Sequence, residues 1–146
     1  MQNKEIKAYF HPLFKRDGTL KGFETLARWH LNEKIINPGT FIPLINRNGM
    51  GYELDMYMIE LVGESYKKIQ SANPKINPHI SINLAIDTIN NIKISDLIKS
   101  LDKTNDKREN IILEILEDVV IGDKTRSKLA ELKKAGYQIA LDDFTT

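Results

Sequence analysis

The chain predicts an α/β fold built on a mostly parallel sheet, and three observations carry that expectation. Residues 5–14 and 19–30 are extended apolar runs separated by Arg16-Asp17-Gly18, which reads as an antiparallel hairpin. From residue 37 onward, strand-like runs alternate with segments of helical periodicity. That alternation implies parallel strands joined by crossover helices. The run 111–116 is almost continuously apolar, as expected of a strand buried on both faces.

Each element has its own signal. In the second strand Gly22, Glu24, Leu26 and Arg28 share one face, and Phe23, Ala27 and Trp29 lie on the other, because side chains alternate with period two. Asn37-Pro38-Gly39-Thr40 is a turn leading into a short helix over 41–46, which Asn48-Gly49 closes. Residues 51–70 form the longest helix, with an apolar stripe at Leu54, Met58, Leu61, Val62, Tyr66 and Ile69. Asn73-Pro74 ends it, and Pro78 precedes the strand 79–84. A weaker helical pattern runs over 87–103, with Ser95 or Asp96 as its cap. Residues 105–110 are a polar loop before the strand 111–116. The last helix spans 123–135, with Gly136 at its C-terminal cap, and the last strand spans 137–141.

With 146 residues there is material for one modest domain, 1–146, with no internal repeat or linker. A net charge of +1 supplies no global field toward nucleic acid or an anionic membrane, and Lys133-Lys134 reads as a solvated helix face. The absence of cysteine excludes disulfides and thiolate metal sites and fits a reducing compartment. No apolar run approaches the roughly 20 residues needed to span a bilayer, and the opening Met-Gln-Asn-Lys-Glu lacks a signal-peptide layout. A cytoplasmic location is the expectation, with a membrane anchor elsewhere in a longer polypeptide left open.

Four of the strands carry an acid or amide inside an apolar run: Glu24; Asn83; Glu114 with Glu117; and Asp142-Asp143. In parallel sheets and barrels, reactive groups gather at the carboxyl ends of strands. Two carboxylates about 4 Å apart repel by roughly 4 kcal/mol at an effective dielectric near 20. Several together therefore need protons or cations. Carboxylate and amide oxygens without sulfur or imidazole favour Mg²⁺ or Mn²⁺ over Zn²⁺. A pair of such ions suits in-line displacement at a phosphodiester, and Arg28, on the face of Glu24, suits a phosphate oxygen. Taken singly, each residue has a plainer reading. Glu24 is an edge or ion-paired acid, with Arg28 as its partner. Asn83 is a bonded core amide. Glu117 supports a loop from the opposite face, and Asp142-Asp143 starts a loop or helix.

Together these residues resemble the EAL family of bacterial phosphodiesterases that hydrolyse cyclic di-GMP to linear pGpG. The resemblance rests on Phe23-Glu24-Thr25-Leu26-Ala27-Arg28-Trp29, Pro38-Gly39-Thr40-Phe41-Ile42-Pro43, Ser81-Ile82-Asn83-Leu84, Glu114-Ile115-Leu116-Glu117 and Leu141-Asp142-Asp143-Phe144. It implies a TIM-like (β/α) barrel whose first strand is antiparallel to the second. It implies metal-ligand roles for Glu24, Asn83, Glu114, Asp142 and Asp143 toward two Mg²⁺ or Mn²⁺ ions, with Asp143 also as a base beside the bridging water. Glu117 resembles the acid that holds the loop after Asp143. His11, Pro12, Leu26 and Arg28 resemble the substrate contacts.

The chain departs from the family pattern at Thr25 for alanine, His11 for glutamine, Leu116 for threonine and Thr145 for glycine. A family domain is also longer: the further part carries a lysine, a glutamate in an Ala-Glu-Gly-Val-Glu-like strand, a glutamine and the remaining strands. The expectation is therefore an N-terminal portion of one domain, an open half-barrel that is inactive by itself. Its last strand forms an unprotected edge able to associate, as in a homodimer. Regulatory or cyclase domains accompany this family. The alternative is a degenerate, non-catalytic domain that acts as a cyclic di-GMP receptor or protein-interaction module.

Overall fold

A computed structural model of the chain describes residues 5–104, 107–117 and 121–143, without the side chains of Leu116, Glu117, Asp142 and Asp143. Strand β1 (Ile6–Phe14) and strand β2 (Leu20–Leu31) form the expected antiparallel hairpin, with Ile6 opposite Trp29 and His11 opposite Glu24. The strands that follow are β3 (Lys34–Ile36), β4 (His79–Ala85), β5 (Ile111–Glu117) and β6 (Gln138–Asp143). The helices are α1 (Pro38–Arg47), α2 (Gly51–Ala72), α3 (Ile86–Asn91), α4 (Ile94–Asp102) and α5 (Asp123–Ala135). The sheet runs β1-β2-β4-β5-β6, with β3 also paired to β2. The pairs β2–β4, β4–β5 and β5–β6 are parallel. This is an open sheet of the expected class, and β1 and β6 form its edges.

One sheet face is apolar and covered by helices. Ile80, Ile82 and Leu84 of β4 and Ile111, Leu113 and Ile115 of β5 are 0–1% exposed, packed with Val62 and Tyr66 of α2, Leu97 and Leu101 of α4 and Leu132 of α5. A second cluster joins Ile6, Ala27, Phe41, Leu54 and Met58 under the hairpin. The other face carries Ser81, Asn83, Ile112, Glu114, Gln138 and Ala140, and of these only Ser81 is buried. The expectation that β5 is buried on both faces therefore holds for one face among the described residues, since Ile112 and Glu114 are only half-buried.

Several boundaries differ from the sequence reading. Helix α1 starts at Pro38, which occupies the first turn where a missing N–H costs nothing, and it continues through Pro43. The segment 87–103 is two helices, broken where Ile92 and Lys93 are extended. The second of them begins after Lys93, so neither Ser95 nor Asp96 is its cap. Burial of Ile92 and three hydrogen bonds from Lys128 Nζ, to the carbonyls of Ile89, Asn90 and Ile92, hold the break. Strand β3 was not anticipated: Asn32 and Glu33 turn the chain with φ of 49° and 67°, a tight hairpin that glutamate seldom supports. The expected loop over 105–110 contains a single 3-10 turn at Arg108–Asn110, and residues 105 and 106 lie outside the described part. Gly136 caps α5 at φ 118°, as expected.

Two polar clusters tie the layers together. Arg108 forks onto both oxygens of Asp102 at 3.0 and 2.9 Å and holds that carboxyl below its usual range, while Tyr137 donates its hydroxyl to Asp102 at 2.8 Å. Asp55 of α2 is 9% exposed and accepts from the Ala85 N–H and the Thr88 hydroxyl.

Burial pushes the Asp55 carboxyl up to about 6 despite those two hydrogen bonds. The folded state thus holds a proton that the unfolded chain releases above its ordinary value of 3.8. Stability from this group is fully present below about pH 4 and is lost as pH rises through about 6. Asp55→Asn should match the wild type near pH 4 and exceed it by roughly 3 kcal/mol above pH 6.5, as read by urea unfolding across that range. At Gly22, an added Cβ would lie 2.3 Å from the His79 carbonyl oxygen on β4. Gly22→Ala should therefore destabilise by about 1–3 kcal/mol in the same assay, because backbone must move.

Candidate functional site

The site is built by register. Residues level on neighbouring strands point to the same side of a sheet, and residues two apart on one strand do so too. Glu24 is level with Ser81, Asn83 lies two residues beyond Ser81, and Asn83 is level with Glu114. Glu24, Asn83 and Glu114 therefore share the polar face on three adjacent strands, and each is half-buried. Glu114 is level with Ala140, two residues before position 142, and Asp142 is level with Leu116. Glu117 and Asp143 are level with each other at the next rung.

Main-chain pairing of β2 with β4 ends at Glu24–Ser81, and side chains continue it. Thr25, buried at 2% exposure, donates its hydroxyl to the Ser81 carbonyl at 2.7 Å. Asn83 Nδ2 donates to the Thr25 carbonyl at 3.3 Å. The Asn83 amide is thus oriented by its nitrogen, which leaves its oxygen as the remaining polar atom of the group. Thr25 stands where the resemblance has alanine, and its hydroxyl contributes a bond that alanine lacks.

His11, Leu26 and Arg28 lie on the Glu24 face, whereas Pro12 is level with Phe23 and lies on the other. His11 and Pro12 are exposed on the edge strand. Arg28 forms no ion pair with Glu24 among the described residues. Its Nη1 donates to the Ala27 carbonyl at 2.9 Å, and its guanidinium carbon lies 5.8 Å from the centre of the Tyr9 ring. The Tyr9 hydroxyl in turn meets His30 Nε2 at 2.9 Å. The plain ion-pair reading of Arg28 gives way to a cation resting on an aromatic ring.

Among the described residues, no three His, Cys, Asp or Glu side chains gather closely enough to hold an ion. Asn83 is outside that donor set, and the side chains of Leu116, Glu117, Asp142 and Asp143 are outside the described part, as is Thr145. The oxygen donors that are described, two carboxylates and an amide on one face, are of the kind that hard divalent cations take. The sequence reading passed over Asp55, Tyr9 and His30. Asp55 had a visible signal, since it falls within the buried stripe Leu54, Met58, Ile59 and Val62. Tyr9 and His30 had none, because their contact depends on hairpin register.

Comparison with known proteins gives one answer. The sequence profile of the EAL domain matches residues 1–146. Two proteins of Escherichia coli K12 named probable cyclic di-GMP phosphodiesterases, PdeG and PdeB, are each 31% identical over all of this chain. The chain spans 30% and 29% of their lengths. The EAL enzyme Bd1971, in its form with cAMP and cyclic di-GMP bound, superposes with a TM-score of 0.83 at 26% identity, covering 99% of this chain and 42% of that one. The PaMucR phosphodiesterase in complex with cyclic di-GMP shares the fold, with a TM-score of 0.78 at 22% identity over 99% of this chain and 60% of its own. With a profile match along its whole length and these relatives, the chain belongs to the EAL domain family.

Proposed function

We propose that the chain supplies the amino-terminal portion of an EAL-type phosphodiesterase domain that hydrolyses one phosphodiester of cyclic di-GMP to give linear pGpG. The observation that supports this reading most is the line of oxygen donors on the polar face: Glu24, Asn83 and Glu114 on three adjacent strands, within a member of this family. Asp142, two rungs beyond the Glu114–Ala140 level on the fourth strand, would extend the line.

In this reading Glu24, Asn83, Glu114 and Asp142 hold Mg²⁺ or Mn²⁺, with Asp143 as a further ligand. Two bound ions would supply Lewis acidity toward the phosphodiester and a hydroxide at neutral pH. The chain's own residues do the remaining work. Thr25 and the β2–β4 pairing hold Glu24 and Asn83 in fixed relation, which lowers the entropy lost when an ion binds. Arg28 extends a guanidinium along the same face toward a phosphate oxygen, with the Tyr9 ring limiting its rotamers. Leu26 offers apolar contact to a base, His11 lies on the same face of β1, and Pro12, on the opposite face, would reach the ligand only from the strand edge. Asp143 accepts the proton of the attacking water, and Glu117, at the same rung, holds the loop that follows.

Turnover is expected from a polypeptide that also carries the later family motifs, and not from these 146 residues alone, because a further lysine and glutamate belong to the same chemistry. The test is chromatographic detection of pGpG with Mn²⁺ for both polypeptides. Robust hydrolysis by the 146-residue chain would overturn the half-site reading. Metal-independent binding of cyclic di-GMP by the longer polypeptide, without turnover, would favour a receptor.

Glu114→Gln should weaken Mn²⁺ binding to the 146-residue chain by about tenfold or more, followed by electron paramagnetic resonance of the free ion, with the folded signal retained. Arg28→Ala in the longer polypeptide should raise KM for cyclic di-GMP by roughly ten- to a hundredfold, with a smaller change in kcat, since a charged hydrogen bond contributes about 1.5–3 kcal/mol.

A further inference from the structure

Asp55 has no part in the chemistry proposed above, yet it is a buried carboxylate whose two polar contacts lie on two other elements, β4 and α3. Its Oδ2 accepts the main-chain N–H of Ala85 at 2.9 Å and the Thr88 hydroxyl at 2.5 Å. Ala85 is the last residue of β4 and the N-cap of α3, a helix whose own cap residue makes no side-chain hydrogen bond. A local serine or asparagine would satisfy such a helix start. Here the acceptor is carried instead by α2, 30 residues earlier in the chain. It therefore fastens the β4–α3 turn to the helical layer and does more than cap it.

That turn occupies a particular place. Ala85 is level with Leu116 on β5, and Leu116 is level with Asp142 on β6. Asn83 lies two residues before Ala85, with its amide nitrogen on the Thr25 carbonyl. The end of β4 is thus held from the β2 side by Thr25 and from the helix side by Asp55.

We infer that Asp55 is a positioning residue for the oxygen donors at the carboxyl ends of β4, β5 and β6, setting the height of Asn83 and, through the Ala85–Leu116–Asp142 rung, of Asp142. This inference rests on the divalent-cation reading above and assigns to Asp55 the distance between donors, with no contact to the ion. Both bonds end on one oxygen, so an asparagine carbonyl accepts them equally well and a leucine side chain accepts neither.

The experiment titrates Mn²⁺ into the 146-residue chain for the wild type, Asp55→Asn, Asp55→Leu and Thr88→Val. Free Mn²⁺ is read by electron paramagnetic resonance and folding by circular dichroism at the same temperature. Asp55→Asn should bind within about twofold of the wild type. Asp55→Leu should lose roughly tenfold with its helical signal intact, the usual scale for a group that orients ligands from behind. Thr88→Val, which keeps the Ala85 bond, should lose less than Asp55→Leu but measurably more than Asp55→Asn. Unchanged affinity in a folded Asp55→Leu overturns the inference, as does Asp55→Asn losing as much as Asp55→Leu. Should Asp55→Leu fail to fold, Thr88→Val decides, and wild-type affinity there is equally fatal. A wild-type chain that binds no Mn²⁺ overturns the cation reading itself, an outcome visible before any substitution is compared.

Discussion

The parallel pairing of β4 with β5 is the constraint on which the rest of the molecule depends. Six side chains, Ile80, Ile82 and Leu84 facing Ile111, Leu113 and Ile115, are 0–1% exposed on the helix side of this pair. A slip of either strand by one residue would turn its three to the other face. At about 1.5–3 kcal/mol for each large aliphatic side chain taken out of the core, displacing the three on one strand would cost as much as the whole net stability of a marginal domain. The same register determines what stands on the polar side, with Asn83 level with Glu114, and the β2–β4 register adds Ser81 level with Glu24. The chemistry is carried on one face by packing on the other.

Packing fixes the height of those groups along their strands less firmly than it fixes their face, and here polar contacts take over. The hydroxyl of Thr25 and the amide of Asn83 carry the β2–β4 seam beyond its last main-chain pair. Asp55 ties the far end of β4 to α2. The close approach of Gly22 to the His79 carbonyl brings β2 and β4 together at the opposite end of the seam. These contacts differ in kind, but each acts on the strand that carries Asn83.

The chain's alternation of strand and helix made the topology legible, because period-two and period-3.6 patterns were strong wherever a segment was buried. The limits of α5 and the hairpin were readable from Gly136 and from Arg16-Asp17-Gly18, where backbone conformation selects residue type. The break at Ile92–Lys93 was not readable, because it is held by Lys128, more than thirty residues away. Strand β3 escaped for a related reason: its turn uses Glu33 at φ 67°, against local preference. Glu24, Asn83 and Glu114 could be named from the sequence because an acid or amide in an apolar run is costly. Their common face became a statement of structure only through the register. The aromatic rest beneath Arg28 was out of reach, since Tyr9 and His30 meet across the hairpin.

Lys128 makes a distinction between two cations of equal charge. Its ammonium sends three N–H bonds, at 2.9 to 3.0 Å, to three main-chain oxygens gathered around one nitrogen. A tetrahedral donor can meet three oxygens converging on a point, whereas a flat guanidinium spreads its donors along a plane. Arginine at this position would keep the charge and lose the geometry. The joint between α3 and α4 thus selects for the shape of its cation, even though nothing about the site is chemical in purpose.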